Sequence, residues 1–454
     1  MPFVVQKHDA HLAAIKVLEE GTRERNLDVT LEMVPRNCRL APPYHKVSIP
    51  KFSIQDEIIA YASPDSTFAV TKKLIDSAKK TILIGIYDFT ATYVATLLKD
   101  AIARGVKVTL MLDTDHVSDE DAIFTNLADL GAQCVPAPSC ASKKIHVFRS
   151  SHEKVIIIDG SLCMVQSGNF SNNSIPLNVS DGRDDGHFRT GNRDMGVAVR
   201  SRKLADFLTQ ILNRDMSLEL KAEAGVEAEA APPAPILVEA APTRRPSKLF
   251  PSKTFKLAAP LTVQPILSPD NYIQVLPGIL RQAKKSVLIQ QQYIHSLDTP
   301  VAELMQAIAE ARKANAKLDV RILLGKLFDD KALQQEKKNL ANIAALYKLK
   351  IGTNIRYVDT TRLVHCHNKL ILVDGVTVLV SSQNWSNAAI NDNREAGLLF
   401  GHKGVATYFT NIFETDWSVG VKKLPDHISS GGVSTEMVGR GGFVEVAAAD
   451  YQEV

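Results

Sequence analysis

No uninterrupted apolar run in these 454 residues approaches the roughly 18 that a bilayer demands. An integral helical membrane protein is therefore not expected. The opening residues, Met1 to Asp9, show no charged segment followed by an apolar one. With no secretory signal visible, the expected location is cytoplasmic or at a peripheral membrane surface, unless a leader has been removed. The five cysteines, Cys38, Cys134, Cys140, Cys163 and Cys366, are odd in number and lack C-x-x-C spacing, so neither a disulfide framework nor a zinc site is expected. Cys163 and Cys366 read as small buried apolar residues. Aromatics make up only 6%, thin for a stacking surface along nucleic acid, and a net charge of +3 is too mild to demand a polyanionic partner. What remains, 45% apolar and 23% charged residues, is the composition of a soluble globular chain, long enough for two or three domains.

One motif occurs twice. His152-Glu-Lys154-Val-Ile-Ile-Ile-Asp159 returns as His367-Asn-Lys369-Leu-Ile-Leu-Val-Asp374. The four apolar, mostly β-branched residues between Lys and Asp predict a strand buried on both faces. Strand periodicity puts His and Lys on one side. In each copy a six-residue gap after Asp leads to a polar block, Gln166-Ser167-Gly168-Asn169 and Ser381-Ser382-Gln383-Asn384. Those hydroxyls and amides can hold an anion.

This double signature resembles that of the phospholipase D superfamily, H-x-K-x4-D followed at fixed spacing by G-S-x-N. Both copies match at His, Lys, Asp, Ser and Asn, while Gln166 and Ser381 stand where the family usually has Gly. A single copy would be a weak signal; two copies with matching downstream blocks are a strong one.

The repeat extends beyond the motifs. A helix over 68–80 ends in Ala78-Lys79-Lys80 before a strand over 81–87, and a helix over 272–285 ends in Ala283-Lys284-Lys285 before a strand over 286–293. Each half then has a further helix (92–104 and 301–315) and an apolar strand (106–112 and 318–324). Alternating helix and strand predicts an α/β fold. The expected architecture is two similar α/β/α sandwich halves, mixed β-sheets flanked by helices, related by a pseudo-twofold axis with the active site at their interface. The boundaries are an N-terminal helical and irregular extension over 1–55, a first domain over 56–217, an Ala/Pro/Glu-rich linker over 218–255, a second domain over 256–424 and a Gly-rich tail over 425–454. Within the extension, residues 8–25 read as an amphipathic helix. From Asn169 to Asp194 is 25 positions but from Asn384 to Glu395 only 11, so the first half carries a polar insertion over 178–191.

Cleaving a phosphodiester needs a nucleophile, neutralisation of the charge on the nonbridging oxygens and an acid for the leaving alcohol. Two His and two Lys supply all three, provided one His is neutral and the other protonated. The resemblance implies His152 as the nucleophile that becomes a phosphohistidine and His367 as acid and then base. It also implies Asp194 and Glu395, in Asn-Arg-Asp194 and Asn-Arg-Glu395, as the acids that orient the two rings. Lys154 and Lys369 would clamp the phosphate, with Ser167, Asn169, Ser382 and Asn384 as further donors. Asp159 and Asp374 are expected to brace strand ends. A purely structural origin for these residues would require the same coincidence twice. No cofactor and no metal are expected: His365 forms an H-x-H pair with His367, but a third ligand at suitable spacing is missing.

The substrate is expected to be a phospholipid or another phosphodiester, met at a peripheral membrane surface, by a chain that works as a monomer because it carries both motifs. Two alternatives stay open, a metal-independent nuclease and a non-catalytic binding scaffold. Trp385 could supply a stacking ring or simply pack.

Overall fold

A computed structural model describes residues 38–40, 44–114, 118–142, 144–177, 191–221, 250–327 and 330–428. The helix expected over 8–25, nearly all of the insertion over 178–191, the Ala/Pro/Glu-rich stretch from 222 to 242 and the tail beyond 428 lie outside them. None of the described helices is long and apolar enough to cross a membrane.

In the first half, β2 (Glu57–Ser63), α1 (Thr67–Ser77), β3 (Thr81–Ile86), α2 (Thr92–Ala103), β4 (Lys107–Leu112), α3 (Ser118–Asp129) and β5 (Gln133–Pro136) precede the motif strand β6 (Val155–Ile158). Then come β7 (Leu162–Gln166), β8 (Asp194–Arg200) and α4 (Arg202–Lys221). The second half repeats the series as β10 (Leu261–Ser268), α5 (Tyr272–Arg281), β11 (Ser286–Gln291), α6 (Thr299–Ala314), β12 (Asp319–Leu324), α7 (Asp330–Tyr347), β13 (Ile355–Tyr357), the motif strand β14 (Leu370–Val373), β15 (Thr377–Ser381), β16 (Glu395–Gly401) and α8 (Lys403–Val419). Two short strands remain, β1 (Phe52–Ile54) and β9 (Lys253–Lys256).

Each sheet has eight strands in matching order, β5-β4-β3-β6-β7-β8-β2-β9 and β13-β12-β11-β14-β15-β16-β10-β1. The strands β3-β4-β5 and β11-β12-β13 run parallel; the other pairings are antiparallel. The edge strands are exchanged. β1 precedes the first half but pairs with β10 of the second, and β9, which opens the second half, pairs with β2 of the first. Residues 253–255, read as linker, and 52–54, read as irregular extension, thus become sheet edges that each half lends to the other.

The period of two along the motif strands sorts their side chains between two cores. Val155 and Ile157, with Leu370 and Leu372, pack into one core that joins both sheets to α4 and α8. Ile156 and Ile158 face the outer helices of the first half, and Ile371 and Val373 those of the second. At the far end of each motif strand, Asp159 (φ 51°) and Asp374 (φ 56°) take the left-handed conformation that Asp tolerates better than most residues. The Asp159 carboxylate accepts the backbone N–H groups of Lys79, Lys80 and Thr81 at 2.7–3.2 Å, and Asp374 those of Lys284, Lys285 and Ser286 at 2.6–3.0 Å. The repeated Ala-Lys-Lys segments are therefore the nests in which the two Asp residues sit.

One cysteine expectation is corrected. Cys38 and Cys140 form a disulfide, with Cα atoms 5.7 Å apart, tying the N-terminal arm to the loop ahead of His152. Cys163 and Cys366 are buried free thiols. Trp385 is fully buried and donates its indole N–H to the Tyr272 hydroxyl at 2.9 Å, so it packs and offers no stacking ring.

Two buried arginines lock the halves. Arg193 of the first half binds Asp416 on α8 through Nε and Nη2 at 2.7 and 3.0 Å, and Asp65 of its own half at 2.6 Å. Arg394 of the second half binds Asp215 on α4 at 2.7 and 3.0 Å, and Asp270 at 2.7 Å. Removing either guanidinium would strand two carboxylates in a buried interface, a cost of about 3–5 kcal/mol. The exchanged strands and these ion pairs give each half direct contacts with the other outside the connecting chain. Proteolytic cleavage within 222–249 is therefore expected to leave both pieces in one particle with the site intact. Gel filtration in native buffer after the cut reads this, and separation of the pieces would contradict it.

Candidate active site at the junction of the halves

The backbone that carries each His is stitched to the opposite half. The N–H of His152 donates to the Arg394 carbonyl at 2.8 Å, and the N–H of Arg394 to that of Ser150 at 2.8 Å. By the same pattern, the N–H of Arg193 donates to the His365 carbonyl at 2.8 Å, and the N–H of His367 to that of Arg193 at 3.1 Å.

The acids cross over as well. His152 Nδ1 lies 2.8 and 2.9 Å from the Glu395 carboxylate of the second half, and His367 Nδ1 lies 3.0 Å from Asp194 Oδ1 of the first. With Nδ1 donating to a carboxylate, each ring presents Nε2 for chemistry. Each of these two His–acid pairs is thus built from both halves.

All four motif side chains are buried: His152 and His367 are 2% and 3% exposed, Lys154 and Lys369 not at all. Each ammonium donates to the carbonyl of the His two residues before it, at 2.6 Å in both copies. Burial pushes Lys154 down to about 7, with Glu395 opposing the fall and Lys369 adding to it. Burial and then Lys369 push His367 down to about 4 against the pull of Asp194. Burial works to raise Asp194, but His367 beside it, then Lys369 and the Ser167 hydroxyl, outweigh that and bring the carboxyl to about 2. Burial thus favours the neutral form of the His367 imidazole, while the charges and hydrogen bonds around Asp194 favour its carboxylate.

The serines of the polar blocks are engaged within the fold. Ser167 donates to Asp194 Oδ1 at 2.7 Å and accepts the N–H of Met195 at 3.0 Å, while Ser382 accepts the N–H of Ala396 at 3.0 Å. The amides are less committed. Asn169 Nδ2 approaches Asp88 at 3.4 Å, and the Oδ1 atoms of Asn169 and Asn384 are buried without a partner among the described residues. Asn173 and Asn192, which the motif does not include, are further buried amides nearby. His365 accepts the Lys326 N–H through Nδ1 at 3.0 Å, its ring centroid 6.4 Å from that of His367.

Three neighbours have no motif to announce them. Tyr87 sets its ring edge-on to His152 at 4.7 Å, with Lys154 Nζ 5.1 Å from its centroid; the repeat places Gln292 there in the second half. Asp113, at the end of β4, accepts the N–H of Ser151 at 2.6 Å and the hydroxyl of Ser139; its counterpart is Gly325. Glu153, between His152 and Lys154, is raised to about 7 by burial and then by Asp215, where the second half carries the uncharged Asn368.

An anion bound here would favour the protonated forms of Lys154 and His367, so binding should take up protons around neutral pH. Sulfate, which does not titrate in this range, is the suitable probe. Calorimetry at pH 6.5 in buffers of differing ionisation enthalpy should show net proton uptake; zero uptake, or release, would contradict the arrangement of charges described.

A family model described as cardiolipin synthase, phospholipase D-like domain, matches residues 71–216 and 277–417, one segment in each half. A phosphatidylserine synthase of known structure from Haemophilus influenzae superposes with a TM-score of 0.55 over 84% of this chain and 89% of its own, at 15% identity. Among curated proteins, the virion nicking-joining enzymes of monkeypox virus and vaccinia virus are 28% identical over 97 residues, which is 21% of this chain. The match spans about a fifth, 22%, of the length of those relatives.

Proposed function

The chain belongs to the family of cardiolipin synthase and phospholipase D-like domains, and from that premise we propose that it is a phosphodiesterase of the phospholipase D type that cleaves or transfers the phosphatidyl group of phospholipids through a phosphohistidine. One observation carries the reading: two His from two halves meet at one junction, each held through Nδ1 by the acid of the other half. His152 Nε2 attacks phosphorus while Glu395 steadies the positive charge that the ring acquires. Lys154 and Lys369 neutralise the nonbridging oxygens, assisted by Asn169 and Asn384. His367, protonated once the substrate's anion is in place, gives its Nε2 proton to the leaving oxygen and later takes one from the incoming water or alcohol. Ser167 and Ser382 act through the strands they tie together, and Asp159 and Asp374 through the nests they fill.

Phospholipid is favoured over nucleic acid by two motifs in one chain and by the family model's description. A nuclease is the second reading, supported by the local likeness to nicking-joining enzymes. The Cys38–Cys140 disulfide favours an oxidising compartment, against the cytoplasmic alternative of the cytoplasmic or peripheral-membrane location expected from the sequence. One panel tests the function: purified protein offered phospholipid vesicles, single-stranded DNA and duplex DNA, with EDTA throughout. Headgroup release from vesicles, with both DNAs intact, is the expected result. Cleavage of DNA with inert vesicles would replace the first reading by the second.

A further inference from the structure

A buried ammonium that is to grip a phosphate gains from a neighbour that favours its charge without bringing an anion to repel the substrate. An aromatic face is such a neighbour. Tyr87 directly follows β3 and is fully buried, with Lys154 Nζ over its ring at 5.1 Å from the centroid and the His152 imidazole edge-on to it at 4.7 Å. One ring therefore touches two of the four motif side chains. The backbone beyond it is pinned, since the N–H of Phe170 donates to the Asp88 carbonyl and that of Thr90 to the Phe170 carbonyl, both at 3.0 Å. Around Lys154 the influences are divided. Burial is the largest one against its charge and Lys369 adds to it, while Glu395, Glu153 and Asp194 oppose them. Those carboxylates are already engaged: Glu395 with His152, Asp194 with His367, and Glu153 with the Ser151 hydroxyl at 3.0 and 3.1 Å. The His152 carbonyl accepts from the ammonium at 2.6 Å, so carbonyl and ring together fix where it sits. In the second half the repeat places Gln292, which has no aromatic ring, where Tyr87 stands in the first.

We propose that Tyr87 is a positioning residue that acts through Lys154, its ring holding the ammonium charged and in place for the phosphate. The inference rests on the phosphodiesterase reading above. The ring attracts the ammonium and not the neutral amine, so removing it lowers the pH at which Lys154 gives up its proton. This fixes the direction of the effect. Well below about 7, the value to which burial brings Lys154, the lysine is charged with or without the ring; as pH rises through that value, a chain lacking the ring loses the charge first. A carboxylate in place of the ring would also favour the charge, but it would repel the phosphate that Lys154 is there to bind. The attraction belongs to the ring and not to the hydroxyl, so phenylalanine should serve as tyrosine does.

The test follows kcat/KM of the full chain for a soluble nitrophenyl phosphodiester from about pH 5.5 to about pH 8.5, because that quantity reports the groups of the free enzyme. Thermal melts at both ends establish that each variant is folded. Tyr87→Leu should fall further behind the wild type as pH rises, the ratio of the two growing about tenfold across the range, which is what a shift of one pH unit in Lys154 produces. Tyr87→Gln, which copies the residue of the second half, should do the same and serves if the leucine variant fails to fold. Tyr87→Phe should restore the wild-type profile. A deficit that is the same at every pH in the folded variants would mean that the ring only packs, and a phenylalanine variant as poor as the leucine one would move the role to the hydroxyl; either result overturns the proposal. A wild type that releases no nitrophenol would bring down the phosphodiesterase reading instead. The ring is then read from sulfate affinity by calorimetry, where the same growth of the deficit with pH is expected and a constant deficit overturns the proposal.

Discussion

Mixed with an activated phosphodiester, the His367→Asn variant is expected to accumulate a covalent adduct on His152, whereas His152→Asn forms none. The difference follows from what each ring must do. His152 supplies the lone pair that bonds to phosphorus, and no other group at the junction replaces it. His367 supplies a proton that a good leaving group does not need, so the first step survives its loss; activation of water in the second step does not. Turnover of an ordinary substrate should fall in both variants by on the order of 10³-fold or more, without the two losses adding in a double variant. A primary alcohol added to the wild type should divert product from acid to ester, since it competes with water for the same intermediate. Denaturing mass measurement reads the adduct. An adduct on His367 in the His152 variant, with none on His152 in the other, would reverse the roles.

The doubled motif made the motif strands, the α/β class and the two-half layout legible, because four β-branched or leucine residues in a row and a repeated helix–strand rhythm are local signals. The element ends differ from the sequence expectation by a few residues, as at 68–80, where the helix runs Thr67–Ser77 and the Lys pair instead forms the nest around Asp159. What local signals could not carry was which half serves which. The spacing in Asn-Arg-Asp194 and Asn-Arg-Glu395 points to two acids for two rings, but only the packed interface decides that Glu395 goes to His152 and Asp194 to His367. The exchange of β1 and β9 was hidden for a similar reason. Strands of three and four residues take their identity from the sheet edge that receives them. Arg193 and Arg394 did leave a trace, since the repeat that aligns them also aligns Asp215 with Asp416. Their chemistry becomes visible only when the helices bearing those acids are seen to cross the interface. The Cys38–Cys140 pairing, 102 residues apart, left none.

Lys154→Met should destroy activity and yet make the protein more stable. The loss follows from removing a fixed positive charge at the phosphate, worth about 10²–10³-fold for a single well-placed group. The gain follows from the sign of the protonation shift. An unfolded Lys titrates near its ordinary value of 10.5, whereas burial brings Lys154 down to about 7 in the folded chain. Between those two values the folded state binds fewer protons than the unfolded one, so stability rises with pH across that window, and below about 7 the penalty for the buried charge is fully present. Methionine fills a similar volume and carries no charge, which removes the penalty. Against this stands the lost hydrogen bond to the His152 carbonyl, on the order of 1 kcal/mol. The net gain near pH 6.5 is expected to be a few kcal/mol, or roughly 5 °C in Tm for halves of this size. It should shrink as pH rises and be gone by about 10.5. Thermal melts of the two proteins at pH 6.5 and pH 10 separate the alternatives. A variant destabilised equally at both values would mean that Lys154 is retained for packing, and the charge assigned to it at the phosphate would have to be abandoned.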